Sequence, residues 1–216
     1  MSSPDIYLNP KFSPGLRFLA HLVSIILHPL FITSYVIGFL VLVDPYAFAG
    51  FDSGAKLLRF LHVALIEAFF PAFSIFLLWR LEFTRSIRLE TARERIIPYV
   101  IAMIFYWWTW NVFRHRENSD IAVHFLLGAF LAVCGAFFCN IYFKISMHCT
   151  AIGGALMFFI LYCLSDATAS GLYMALAALA AGLVCTARLI LGVHTRFEVY
   201  AGLFVGMLTQ WVGWQF

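Results

Sequence analysis

Long apolar runs separated by short polar segments dominate the pattern along this chain. A helix that crosses a bilayer needs about 20 mostly apolar residues. Seven stretches have this character, namely residues 16–43, 57–79, 96–113, 121–143, 149–164, 171–191 and 197–214. Because helices satisfy their own backbone hydrogen bonds in lipid, such runs favour helical spans. The pattern therefore predicts an all-α fold, a polytopic transmembrane helical bundle of six or seven spans.

The polar residues that precede the first run predict a simple domain organisation. Residues 1–15 form a polar N-terminal lead, and residues 16–216 show no internal repeat and no long linker, so we expect them to form a single transmembrane domain. The lead does not resemble a cleavable signal peptide, and the apolar run after it is too long for one. We expect the lead to be retained.

Composition supports a membrane protein and excludes other classes. The chain is 63% hydrophobic and only 12% charged, which a soluble domain would not tolerate. The net charge of +3 is too small to indicate a nucleic-acid partner. Five cysteines lie in apolar runs without a CxxC pair, so they are expected to be core residues rather than disulfide or metal ligands. We expect neither a metal nor a cofactor.

Ionisable residues near the C-terminus indicate a site, because they are costly where hydrocarbon surrounds them. Arg188 is followed six residues later by His194 and four residues after that by Glu198. If a helix runs from His194, Glu198 lies one turn away and can accept the imidazole Nδ1 proton, leaving Nε2 as a nucleophile or base. Arg188 offers a planar fork for a phosphate or carboxylate.

Two earlier polar segments carry further candidates. In the charged segment 80–98, Arg88 and Arg95 are two helical turns apart and can share a face, which provides a second anion clamp. Between the fourth and fifth runs, Ser146 and His148 stand at a predicted helix start. There the hydroxyl can cap the helix, or the free amide groups can face a phosphate oxygen.

The three segments resemble the signatures of the type 2 phosphatidic acid phosphatase superfamily. Those signatures read K-x6-R-P, P-S-G-H and S-R-x5-H-x3-D in chain order. The third matches in spacing throughout. The departures in this chain are Arg88 for lysine, a proline displaced to Pro98, Ile145 for proline, Met147 for glycine, Ala187 for serine and Glu198 for aspartate. Two spans separate each segment from the next, so all three are expected on one side of the membrane.

The resemblance implies metal-independent hydrolysis of a lipid phosphate, either a monoester or a pyrophosphate, through a phosphohistidine. His194 would be the nucleophile, Glu198 would orient it, and His148 would protonate the leaving group and then activate water. The phosphate-binding residues would be Arg88, Arg95, Arg188 and Ser146. The implied partners are the lipid substrate and the bilayer.

Two alternatives remain open at the level of sequence. The bulky Met147 could block close approach of a phosphate to the backbone, which would leave a catalytically inactive lipid-phosphate-binding homologue. The other histidines could instead be axial ligands in a haem-binding membrane bundle. An absorption spectrum distinguishes this alternative from the phosphatase interpretation. They are His21, His28, His62 and His124.

The distribution of charged residues along the chain predicts an orientation in the membrane. Ten of the 14 lysines and arginines fall on the side that carries the three segments, which favours a site on the cytoplasmic face. We expect an integral protein of a bacterial inner (cytoplasmic) membrane.

Glu67 lies near the middle of the second run. We expect it to be structural, either protonated or paired with His62 or another helix.

Overall fold

A computed structural model describes residues 12–83, 91–116, 118–165 and 170–216. This part of the chain is helical and contains no strand, which confirms the all-α prediction. One π-helical turn, Ala64–Phe69, joins two α-helices into a continuous segment. The helices are α1 (Pro14–Ile26), α2 (Pro29–Leu42), α3 (Ser53–Val63), α4 (Phe70–Arg80), α5 (Ile96–Arg114), α6 (Asp120–Tyr142), α7 (Met147–Ser165), α8 (Gly171–Ile190) and α9 (Arg196–Gly213).

The helices of the described residues show that this is a membrane protein. Five segments are long and apolar enough to cross a bilayer: α3 to α4 as one segment, α5, α6, α7 and α8. The pair α1 and α2, bent by 58° at the break between them, is a sixth candidate. Helix α9 forms where a seventh run is predicted, but it is not among these candidates. It carries Arg196 and Glu198 in its first turn and the buried Gln210 near its end.

The first predicted span is broken because of Pro29. A residue before proline is pushed out of the helical region, and His28 accordingly has φ −69° and ψ 139°. Pro29 then begins α2 at a position where its missing N–H costs nothing. The imidazole of His28 caps α2, with Nδ1 accepting the N–H of Leu30 at 3.4 Å.

The π-helical turn lies directly before Pro71. Proline has no N–H and its ring would collide with the carbonyl four residues back, that of Glu67. The chain instead makes a wider turn, in which the Phe70 N–H bonds the Leu65 carbonyl five residues earlier. The Glu67 side chain is fully buried, and neither of its carboxyl oxygens has a hydrogen-bond partner among the described residues. The predicted pair with His62 is not seen.

Close contact between α7 and α9 fixes the relative position of their first turns. A methyl group at Gly153 would collide with the carbonyl of Leu203, and one at Gly206 with the carbonyl of Thr150. Small residues at such a crossing allow the two backbones to touch. Packing of this kind ties the start of α7 to the start of α9.

The connections place at least six termini of the described helices at one end of the bundle. Short turns make consecutive helices antiparallel, so α5, α7 and α9 begin where α6 and α8 end. Helix α2 begins at the same end, because its far end is tied to the far end of α7. There the Tyr162 hydroxyl donates to the Asp44 carboxylate. All the described candidate residues therefore belong to one end of the molecule.

Candidate functional site

His194 and Glu198 form a hydrogen-bonded pair, with Nδ1 of the imidazole 2.9 Å from Oε2 of the carboxylate. The local structure that brings the two side chains together differs from the predicted one, because His194 precedes α9 instead of lying in it. Thr195 is the N-cap, and its hydroxyl accepts the Glu198 N–H at 3.2 Å while Glu198 Oε2 accepts the Thr195 N–H at 3.1 Å. This capping box holds the carboxylate where the imidazole can reach it.

The pair leaves His194 prepared to act through Nε2. Since the carboxylate accepts from Nδ1, the remaining lone pair of a neutral ring is on Nε2. The side chain lines the cavity described below. Burial lowers the pKa of His194 to about 4, an effect that the hydrogen bond to Glu198 partly opposes and the nearby Arg188 and Arg95 strengthen. The imidazole is thus neutral at pH 7.

Arg188 lies in the last turns of α8 and lines the same cavity. Its Nη1 donates to the hydroxyl of Ser24 at 3.4 Å. Its Nε is buried and has no partner among the described residues. A guanidinium group with an unused buried donor is suited to a second, anionic acceptor.

Arg95 approaches from the start of α5. It is only 5% exposed, and its Nη1 donates to the carbonyl of Ile145 at 3.1 Å. This contact links the charged segment to the turn before α7, and Arg95 also lines the cavity. Arg88, its predicted partner in the clamp, lies outside the described residues.

His148 stands in the first turn of α7 and lines the cavity. Its Nε2 is 3.2 Å from the main-chain carbonyl of Ser24. Because a carbonyl only accepts, this Nε2 carries the proton and Nδ1 holds the lone pair of the neutral ring. The ring also meets that of His28 edge to face, with centroids 5.1 Å apart.

Ser146 takes the capping alternative and not the phosphate-binding one. It is fully buried, its hydroxyl donates to the Cys149 sulfur at 3.2 Å, and its oxygen accepts the Cys149 N–H at 3.4 Å. It is not one of the described residues that line the cavity. The Ser146 N–H donates to the Glu198 carbonyl at 3.3 Å, so its contribution is to join α7 to α9.

These groups surround one end of a cavity of about 1040 Å³. Its cations are Arg95, Lys144 and Arg188, and no aspartate or glutamate is present among the described residues that line it. An anion is therefore attracted to this end. The remaining wall is largely apolar and rich in small side chains, including Ala102, Ala132 and Ala155.

The sequence interpretation missed three residues at the site: Ser24, His28 and Lys144. The signal for His28 was the following proline, which predicts a helix break inside the first apolar run. The other histidines of the haem alternative lie elsewhere. His21 is exposed, His62 lies 5.9 Å from the ring of Phe113, and His124 lies 6.0 Å from the ring of Trp214.

The described residues contain no group of three or more histidine, cysteine, aspartate or glutamate side chains placed to hold a metal ion.

Comparisons of the chain with models of protein families, with curated proteins and with solved structures find no match.

Proposed function

We propose that this protein hydrolyses the phosphate group of a membrane lipid, a monoester or a pyrophosphate, through a phosphohistidine intermediate. One observation carries the proposal. The His194–Glu198 pair, two guanidinium groups and His148 line or adjoin the same end of a cavity whose interior is apolar. Such a cavity can hold a charged headgroup and an aliphatic chain together.

His194 is the nucleophile of this reaction. Its Nε2 attacks phosphorus, a P–N bond forms, and the bond from phosphorus to the leaving oxygen breaks. Glu198 accepts from Nδ1 and stabilises the positive charge that the ring acquires as it becomes phosphorylated. Attack by water then breaks the P–N bond and releases inorganic phosphate.

The arginines take the place of a metal in this mechanism. Charge on the transferring group lies on its nonbridging oxygens, and preorganised donors stabilise it there. Arg188 has a buried Nε without a partner among the described residues, and Arg95 lines the same cavity. Arg88 belongs to the proposal through its position in the sequence alone.

His148 is the acid and base. Its Nε2–H is engaged with the Ser24 carbonyl, so Nδ1 is the nitrogen that serves the substrate. In the doubly protonated ring Nδ1–H protonates the departing alkoxide, and the neutral ring then takes a proton from the attacking water. A pyrophosphate substrate needs this acid less, because phosphate is a better leaving group.

A second candidate function is binding of a lipid phosphate without hydrolysis. Met147, which replaces the glycine of the family signature, lines the cavity next to His148. Its side chain occupies space close to the cationic end of the cavity, where a lipid headgroup would bind (the headgroup end). If the Met147 side chain holds phosphorus away from His194 Nε2, the protein binds the lipid without hydrolysing it. In either case we place the protein in a bacterial cytoplasmic membrane, with the cationic end of the cavity facing the cytoplasm.

Phosphate release tests the proposal. Purified protein is incubated with EDTA and a panel of phosphatidic acid, phosphatidylglycerophosphate and polyprenyl phosphates and pyrophosphates, beside His194→Ala and the exposed control His21→Ala. We expect release by the wild type and the control but not by His194→Ala, and an acid-labile phosphoenzyme on rapid quenching. Binding of these lipids with no release from any of them would favour the second candidate.

A further inference from the structure

His28 lies in the break between α1 and α2 and is a third histidine on the cavity wall, beside His148 and His194. Neither the spacing of the three polar segments nor the family signatures point to it. It reaches the site because Pro29 turns the chain by 58° at this point. The break thus brings a side chain from the first apolar run to the headgroup end of the cavity.

The capping role of His28 determines its tautomer. Nδ1 accepts the Leu30 N–H at 3.4 Å, so in the neutral ring the proton is on Nε2. Among the described residues no hydrogen bond to this Nε2–H is seen, and the atom is not one of the buried groups without a partner. It is therefore an accessible donor on a side chain that lines the cavity.

The two neighbouring histidines of the cavity wall, His148 and His194, have no N–H to offer an anion in their neutral states. In the neutral state His148 uses its only N–H on the Ser24 carbonyl, and His194 uses its only N–H on Glu198. Until His148 takes up the proton that it delivers to the leaving group, both rings offer a phosphate oxygen a lone pair and no donor. Of the three neutral imidazoles, His28 alone has an N–H left for an anion.

We propose that His28 is a phosphate-binding residue, donating its Nε2–H to a nonbridging oxygen of the lipid phosphate. The inference rests on the proposed function only in that the cavity receives a lipid phosphate. The donor would hold the phosphate beside His148 while the arginines bind its other oxygens. His28 thus adds a neutral, directional contact to a site otherwise dominated by full positive charges.

Two substitutions separate the donor role from the capping role. Asparagine is among the best N-cap residues, so His28→Asn retains the start of α2 but cannot reach the position of Nε2. Glutamine is longer, and His28→Gln places an amide N–H near that position while capping less well. The probe is hexadecylphosphonate, which has no ester bond to hydrolyse, and its affinity is measured by titration calorimetry in detergent.

We expect His28→Asn to bind the phosphonate at least tenfold more weakly than the wild type, and His28→Gln to stay within about threefold, since only the glutamine variant keeps a hydrogen-bond donor near the position of Nε2. The control His21→Asn alters an exposed histidine of α1 and should bind like the wild type. Melting temperatures of all variants show whether α2 is intact.

Three results would overturn the proposal. These are wild-type affinity in His28→Asn, equal losses in both His28 variants, or no binding of the phosphonate by the wild type. Failure of the proposed hydrolysis is a separate result. A protein that releases no phosphate but shows the Asn and Gln difference binds lipid phosphate through His28 without being a phosphatase.

Discussion

The main-chain carbonyl of Ser24 accepts a hydrogen bond from His148 at 3.2 Å, although 124 residues separate them in the chain. The Ser24 hydroxyl also accepts from Arg188 at 3.4 Å. One residue of α1 therefore holds an acid–base candidate on α7 and an anion-binding candidate on α8. Because the contact to His148 is made by the backbone, it depends on the path of α1 rather than on the side chain at position 24.

Replacing Glu198 by glutamine, which has nearly the same shape, should reduce catalytic activity much more than it reduces stability. Glutamine also completes a capping box, so Glu198→Gln should leave the melting temperature close to that of the wild type. It removes the charge that would stabilise a phosphorylated imidazole in the proposed reaction, and kcat should fall by on the order of 10²–10⁴.

The matched variant Glu198→Ala loses both roles. We expect the same loss of kcat together with a free energy of unfolding lower by about 0.5–2 kcal/mol, because the N-terminus of α9 is no longer capped. Phosphate release and thermal melts in detergent measure the two effects. If both Glu198 variants lost activity only to the extent that their melting temperatures fell, a catalytic role for Glu198 would be contradicted.

The pH profile of kcat/KM should show the low pKa of His194. Protonation of Nε2 would remove the proposed nucleophile, and burial lowers the pKa of this ring to about 4. Activity limited by His194 should therefore persist as pH falls through 6.5 and decline only near pH 4. In Glu198→Gln the stabilising charge is gone, so the residual activity should decline at a lower pH than in the wild type.

Arg188 should not be replaceable by lysine. Lysine keeps the charge but lacks the planar fork and the Nε donor, so Arg188→Lys should lower kcat/KM for the lipid phosphate by about 10- to 100-fold. Arg114→Lys is the matched control, since Arg114 lies over the Trp110 ring in the last turn of α5, away from the cavity. Equal effects of the two substitutions would contradict anion binding by Arg188.

The crossing of α7 and α9 should tolerate no side chain. Gly206→Ala places a methyl group against the Thr150 carbonyl, which should force the helices apart and lower the free energy of unfolding by about 1–3 kcal/mol. Gly182→Ala on α8 meets nothing within 4 Å and should be neutral or stabilising. Thermal melts in detergent compare them, and similar melting temperatures would show that the contact is not needed.

The apolar part of the cavity should select the length of the lipid chain. Ala132 lines this wall and is 7% exposed, so Ala132→Phe fills part of the space. We expect KM to rise for long-chain phosphates and to change little for short-chain ones. Ala178→Phe, on an exposed face of α8, is the control. A loss that is the same for every chain length would contradict accommodation of the chain in this cavity.

Much of this arrangement is readable in the sequence, because long apolar runs can form little except helices in a membrane. Two spans between successive polar segments are also enough to bring Arg95, His148 and Arg188 to one end. The details depend on local backbone chemistry that hydropathy does not report. Pro29 breaks an apolar run that appears continuous, and Thr195 starts α9 one residue after His194. Ser146 could be assigned to capping only once its buried contact with Cys149 was known.

The π-helical turn before Pro71 sets the rotation of everything that follows it in that segment. Each residue of an α-helix turns the chain by about 100°, so one extra residue in a turn redirects the whole of α4 about its axis. Pro71, Ala72 and Ile75 line the cavity as a result of that rotation. Restoring a regular helix here would turn a different face of α4 toward the cavity, so the shape of this wall depends on the backbone one turn earlier.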